Sequence, residues 1–247
     1  MIPRMIHALY KRGSDELKIS FRNSEEFAQI QNSLGKEAMG FELLESGKTY
    51  CIVKNVVQEG KEFSQIMRQT FLMLLSMAED GYLDIKNKKF SELEGLIPLE
   101  KSNNRFTTIM RRQLNAQGSE DFDRIGPIYY IVEQLEKIAD EYKHFYNMMK
   151  SNRNEIRKEM LALLNESNKN LRRFYSLFYK FDPSLVSELK NSRDEIYKEL
   201  YSQLGKIKKP EEILLFSFLM GINSMIFSLV DPFLILAMKQ YSAAMYE

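Results

Sequence analysis

The chain has 247 residues, with 35 Lys and Arg against 34 Asp and Glu, for a formal net charge of +1. That balance argues against a nucleic-acid binder relying on a broad basic face, and 44% hydrophobic with 12% aromatic residues excludes a mostly disordered chain. Eleven Gly and six Pro are few for an all-β chain, one Cys excludes an internal disulfide or a cysteine-cluster metal site, and two separated His exclude a His-rich one. With no long apolar run at the N-terminus, a reducing, cytoplasmic setting without a signal peptide is expected.

Ile2, Met5, Ile6 and Leu9 recur at helical spacing and Gly13 stops the run. Leu17, Ile19 and Phe21 alternate with polar residues, as in a half-buried strand. Ser24 before Glu25 and Glu26 reads as an N-cap, opening a helix with Phe27, Ile30 and Leu34 on one face and Gly35 at its end. Phe41–Glu45 and Tyr50–Val53 flank Ser46-Gly47 as a β-hairpin. Residues 1–58 therefore read as a small α-β-α-β-β head.

After Gly60 the pattern turns helical. Phe63, Ile66, Met67, Phe71, Leu74 and Met77 mark one long helix, with a break at Lys86–Lys89 and a weaker one at Gly95–Pro98. Phe106, Ile109, Met110 and Leu114 mark the next, stopped near Gly118. Ser119, followed by Glu120 and Asp121, is positioned to cap a third. Its seam of Ile125, Ile128, Val132, Leu135, Ala139, Tyr142, Tyr146 and Met149 suits packing between antiparallel helices. The plan then repeats. A fourth helix runs through Met160, Leu163, Leu171, Phe174 and Phe178 to Asp182-Pro183-Ser184, a fifth through Leu189, Ile196 and Leu200, and a sixth spans 211–246. The fold class expected is mainly α: two consecutive three-helix bundles, 61–150 and 151–247, behind the head.

The residues hold no Gly-rich phosphate loop, nucleophile elbow or Cys/His pair, and Cys51, His7 and His144 read as structural. Glu136 and Asp140, in Leu135-Glu136-Lys137-Ile138-Ala139-Asp140, lie four apart beside the apolar seam. Two carboxylates so placed can chelate a hard cation with help from a neighbouring helix, while Lys137, Glu141 and Lys143 fit a solvated acidic face.

This segment resembles the Leu-Glu-Arg-Ile-Gly-Asp signature of the PhoU family of phosphate-uptake regulators. Glu100 and Asn104 resemble that family's acid and Asn or Asp four residues later on the middle helix, and Arg111, Arg112, Leu114 and Asn115 resemble the end of that helix. Gly40-Phe41-Glu42 and Glu45-x-Gly47-Lys48 look like the head of archaeal PhoU-like proteins. The resemblance implies two three-helix repeats and a metal (iron, zinc or another divalent or trivalent ion) at Glu136, Asp140, Glu100 and Asn104. It implies no catalytic residue, a homodimer, and docking to a phosphate-transporter ATPase or other signalling protein. The chain departs from the pattern in its second half. Residues 213–230 carry no charge and Lys190 stands where an acid is expected, with Asp194 four later, so any metal is expected only in the first bundle. No DNA-binding module precedes Met1, so direct DNA binding is not expected.

The uncharged stretch from Ile213 to Val230, interrupted by Asp231-Pro232, is expected to be the buried central helix of a bundle, with Asn223 and Asp231 as polar exceptions and a kink at Pro232. The alternatives are a membrane-contacting or dimer-interface helix and a membrane span. The functional expectation is a non-enzymatic regulatory adapter. A membrane-associated helical scaffold resting on residues 213–238 is the alternative, and a metal-dependent hydrolase using Glu136 and Asp140 is disfavoured because two-metal chemistry needs more ligands.

Overall fold

A computed structural model describes residues 1–36, 38–56, 62–116, 122–152 and 156–244. The expected boundary at Gly60, the stop at Gly118 and the cap at Ser119, Glu120 and Asp121 lie outside the described residues. The elements run α1 (Ile2–Lys11), β1 (Glu16–Ser20), α2 (Ser24–Lys36), β2 (Phe41–Ser46), β3 (Tyr50–Asn55), α3 (Phe63–Lys86), α4 (Leu93–Ala116), α5 (Phe122–Asn152), α6 (Lys158–Tyr179), α7 (Pro183–Leu204), α8 (Pro210–Ser228) and α9 (Val230–Ala244). The protein is mainly helical with a small α/β head. It divides into two compact units, Met1–Arg68 with Arg105–Phe122, and Gln69–Asn104 with Asp123–Glu247.

In the first unit the three strands pair antiparallel in the order β1-β3-β2. Tyr10, Ile6, Ile30, Leu34, Phe41, Cys51 and Val53 form the core, with Leu17, Ile19, Phe21 and Phe27 packed against it. The buried stripe of α1 is rotated from the expected one: Ile6 and Tyr10 are buried while Met5 is 55% exposed. The α2 cap also lies one residue earlier than Ser24. Asn23 Oδ1 accepts from Glu26 N at 2.9 Å, and Glu26 Oε2 accepts from Arg22 N at 2.8 Å, a reciprocal pair that satisfies two donors at the helix start.

The end of α4 closes the first unit by capping α1. Arg112, whose side chain is 3% exposed, donates to Tyr10 O at 3.0 Å and Ser14 O at 2.8 Å and pairs with Asp15 at 2.6 Å. Asn115 donates to Lys11 O at 2.7 Å. The carbonyls at the end of a helix have no partner within it, and α4 supplies donors to them. The chain leaves α1 through Gly13 at φ 95°, where an added Cβ would also fall 2.8 Å from the Ala116 Cβ. Arg112 and Asn115, which also carry part of the family likeness, thus have a structural task.

His7, on α1, lies 3.3 Å from Thr108 Oγ1. Burial, with Lys11 and Arg111 nearby, lowers its pKa from 6.5 to about 4. The folded state therefore holds neutral His7 at pH values where the unfolded chain takes up a proton. Stability from this group is complete above about 6.5 and is lost as pH falls toward 4. The gap between the two values sets a ceiling of about 3 kcal/mol, which solvent at the partly exposed ring reduces to about 1–2 kcal/mol. Urea unfolding of the full chain should lose that much between pH 7 and pH 4 beyond the loss in His7→Gln. Parallel pH curves for the two proteins would refute this account.

In the second unit, α3, α4 and α5 are joined by Asn103 Nδ2 donating to Thr70 O at 3.4 Å, Tyr146 Oη donating to Met77 O at 2.8 Å, and a Lys150–Glu94 ion pair at 2.8 Å. The expected break at Gly95–Pro98 does not occur; Pro98 lies inside α4. The carbonyl its missing N–H would have bonded belongs to Glu94, in the exposed first turn. The helices α6, α7 and α8 pack on one another as the second triplet. Asp182 caps α7, accepting from Ser184 Oγ at 2.7 Å and from Ser184 N at 2.8 Å, and these bonds, the hydroxyl's first, hold its carboxyl below the usual range.

The helix α6 also packs on the first triplet. Asn168 accepts from Tyr142 Oη and donates to Ala78 O, both at 2.6 Å, and Phe71 meets Phe174 and Phe178. The burial of α5 is accordingly wider than its predicted seam: Ile131, Ile138 and Phe145 are buried beside Val132, Leu135, Ala139, Tyr142 and Tyr146. Ile125 and Ile128 are only partly buried.

The expectation of one last helix, buried all round, is corrected. The segment is two helices that change over at Leu229. Leu215, Leu219, Ile222, Asn223, Ile226 and Leu229 are buried, while Ile213, Leu214, Ile235 and Met238 are 56%, 52%, 59% and 45% exposed. Asn223 is buried, donating to Ser167 Oγ at 2.7 Å and to Leu219 O at 2.8 Å. Asp231 is exposed in the first turn of α9, where an acid suits the helix dipole. Pro232 follows it at a position whose N–H needs no helical partner. The changeover directs Phe233 into the aromatic cluster, 6.0 Å from Phe174 and 5.9 Å from Phe178.

Candidate functional site

The residues singled out for metal binding lie on α4 and α5, within the second unit. Asp140 and Lys143 are three apart on α5, so their side chains share a face. One turn of α4 brings Glu100 against them. Lys143 Nζ donates to Asp140 Oδ1 at 2.7 Å and to Glu100 Oε1 at 2.9 Å. Asn104, one turn beyond Glu100, directs its Nδ2 at the same Glu100 Oε1. Glu100 is the buried member, its side chain 5% exposed, against 23% for Lys143 and 38% for Asp140. Burial pulls the Lys143 ammonium toward deprotonation, but the hydrogen bonds to Asp140 and Glu100 outweigh it and raise the pKa above the ordinary lysine value.

Glu136 is half-buried one turn before Asp140. Among the described residues no three His, Cys, Asp or Glu side chains gather as metal ligands. The expected set of Glu136, Asp140, Glu100 and Asn104 therefore comes together only in part: Asn104 meets Glu100, and the Lys143 ammonium stands between the Glu100 and Asp140 carboxylates. A divalent ion bound by oxygen needs ligands at about 2.0–2.6 Å, and a neighbouring ammonium opposes it. The donor set does not fit the metal that the resemblance implies.

The face of α5 turned toward α8 holds a second acid. Glu141 lies against Gly221, whose added Cβ would stand 3.6 Å from the carboxyl carbon. Burial raises the Glu141 pKa, His144 opposes that shift, and Asp140 adds to it. Sequence reading gave Glu141 no role beyond a solvated face.

Sequence reading also missed an open cleft of about 490 Å³ lined by Glu79, Tyr82, Asn165, Lys169, Arg172 and Arg173, among others. Its cations are already engaged. Arg172 makes a bidentate pair with Glu79 at 2.6 and 2.7 Å, Lys169 meets Glu166 at 2.6 Å, and Arg173 stands 3.5 Å from Glu188. The only sequence signal for it is the Arg172-Arg173 pair on a helix otherwise patterned for packing.

No family model matches the chain. No curated protein matches it either. Among solved structures it is similar to a PhoU-like protein from Shewanella oneidensis MR-1, with 9% identity and a TM-score of 0.46, over 71% of this chain and 97% of that one.

Proposed function

We propose that this chain is a non-enzymatic regulatory adapter, cytoplasmic and homodimeric, that docks onto another protein in phosphate-dependent regulation. The phosphate part rests on the sequence resemblance of residues 100–104 and 135–140. The docking part rests on one observation: Ile213, Leu214, Ile235 and Met238 remain exposed along the last two helices. Apolar side chains in such a patch mark interaction surfaces. The partner in this reading is a phosphate-transporter ATPase subunit or another signalling protein. Quantitative pull-down from native lysate with the tagged full chain tests it. Wild type should enrich a transporter ATPase subunit, and Ile213→Asp/Ile235→Asp should lower that enrichment at least about tenfold. Equal enrichment by both baits, or none by wild type, refutes the reading.

A peripheral membrane role is the second reading, and the same helices favour it. The most apolar 18-residue stretch of Pro210–Met238 has a mean hydropathy of 2.2 and is 33% buried, so by length and composition alone the segment could cross a membrane. Exposed Lys206, Lys208 and Lys209 precede it, a charge pattern suited to anionic headgroups. Co-sedimentation of wild type, but not of Ile213→Asp/Ile235→Asp, with anionic vesicles would select this reading. Leu229 is fully buried, so substitution there reports on the core and not on this strip.

A further inference from the structure

The sheet of the first unit, ordered β1-β3-β2, has β1 and β2 as its two edges. In β1 the odd-numbered residues bond to β3. Asp15 O accepts from Asn55 N at 2.8 Å and Phe21 N donates to Thr49 O at 2.9 Å, at the two ends of a register that pairs Leu17 with Val53 and Ile19 with Cys51. Bonding residues alternate along an antiparallel strand, so the N–H and C=O groups of Glu16, Lys18 and Ser20 point away from the sheet. Among the described residues no strand pairs with that edge. Glu16, Lys18 and Ser20 are exposed, and Leu17 and Ile19, though packed against the core, are only partly buried. The other edge is blunted: β2 carries an irregularity between Leu43 and Glu45, and its only charges are Glu42 and Glu45.

The open edge is complementary to itself. Two copies of β1 paired antiparallel about Leu17 set Glu16 of each opposite Lys18 of the other, in the positions that exchange backbone bonds. The two Leu17 side chains then meet at the axis on the core side, where each is partly exposed alone. The neighbouring registers are worse. An axis at Glu16 or at Lys18 sets like charges opposite each other. An axis at Ile19 sets Lys18 opposite Ser20, and to engage Glu16 it needs the backbone of Arg22, whose N–H already donates to Glu26 Oε2 at 2.8 Å.

We propose that β1 is the dimerisation edge of this chain: a second copy adds its own β1 antiparallel about Leu17, joining the two three-stranded sheets into one. Opposite charges at Glu16 and Lys18 fix the register, and the outward backbone groups supply the bonds. The inference rests on the homodimer in the reading above and names its surface. Docking through the last two helices does not depend on it.

Sedimentation velocity of the full chain over about 1–100 µM tests it, with circular dichroism confirming that each variant is folded. Wild type should dimerise. Glu16→Lys and Lys18→Glu each set like charges opposite one another at both contacts, and each should weaken the dimer about tenfold or more. Glu16→Lys/Lys18→Glu restores the opposition of charges and should return affinity to within about threefold of wild type. A dimer indifferent to either single reversal, or a double variant as weak as the singles, overturns this inference and leaves the homodimer to another surface. A monomeric wild type overturns the inference and the homodimer together.

Discussion

Arg112→Met should cost about 3–5 kcal/mol in the first unit, the range for removing one partner of a buried charged network. The guanidinium serves three oxygens at once, the carbonyls of Tyr10 and Ser14 and the carboxylate of Asp15, and its carbon lies 4.9 Å from the Tyr10 ring centroid and 5.9 Å from that of Phe41. Methionine keeps much of the volume and supplies no donor, so the Ser14 carbonyl and the Asp15 carboxylate would lose the guanidinium, while Tyr10 O would keep the Gly13 N–H at 3.0 Å. Asp15 separates the two possible sources of that cost. Its side chain is 79% exposed, so Asp15→Ala should change stability by about 1 kcal/mol or less. Urea denaturation of the three proteins checks this. A small effect for Arg112→Met, or a cost in Asp15→Ala equal to it, would mean that the ion pair or nothing at all, rather than the capping of α1, sustains this junction.

Gly81→Ala should be nearly as damaging, at about 2–4 kcal/mol, from overpacking and a displaced buried hydroxyl. An added Cβ would stand 2.3 Å from both Cζ and Oη of Tyr146. A flexible side chain could step aside, but Tyr146 cannot do so cheaply. It is fully buried, its hydroxyl donates to Met77 O at 2.8 Å, and its ring lies 5.8 Å from Tyr142 and 5.9 Å from Phe145. Met77 is four residues before Gly81 on α3, so the hydroxyl reaches its carbonyl over the surface that glycine leaves bare. The Tyr146 hydroxyl stays protonated, since burial raises its pKa well above the usual tyrosine value, with Tyr142, Asp80 and Asp84 adding to the shift. A double-mutant cycle isolates the clash. Tyr146→Leu in the Gly81→Ala background should cost less than in wild type, by about 1 kcal/mol or more. Strict additivity would show that glycine is needed for some other reason.

Element by element, the order of helices and strands was legible, because a period of two or of 3.6 in apolar residues is a local property. The head shows this best: every one of its five elements lies where alternation or helical spacing places it. Two of the corrected features of local structure, at Pro98 and after Ile213, arise where a neighbour or the solvent decides. Pro98 leaves α4 intact because the carbonyl it frees is in an exposed turn, which the residue alone does not reveal. The apolar run after Ile213 reads as buried all round because hydropathy counts residue types and not the area that other helices cover.

The candidate site was legible only in part for the same reason. Spacing along α5 identifies Asp140, and a motif on α4 identifies Glu100, but each helix by itself leaves its acid facing an unknown neighbour. Lys143 read as one charge of a solvated face, and only the approach of α4 makes it the shared partner of both carboxylates. The sequence by itself determined a mainly helical chain with an α-β-α-β-β head and a deep seam along α5. These follow from residue type and periodicity. Tertiary structure alone decided that Arg112 caps α1, that α6 packs on α3 and α5 through Asn168, and that the acidic pair closes on a lysine. Each of those depends on which donor meets which acceptor across tens of residues, and no local period encodes that.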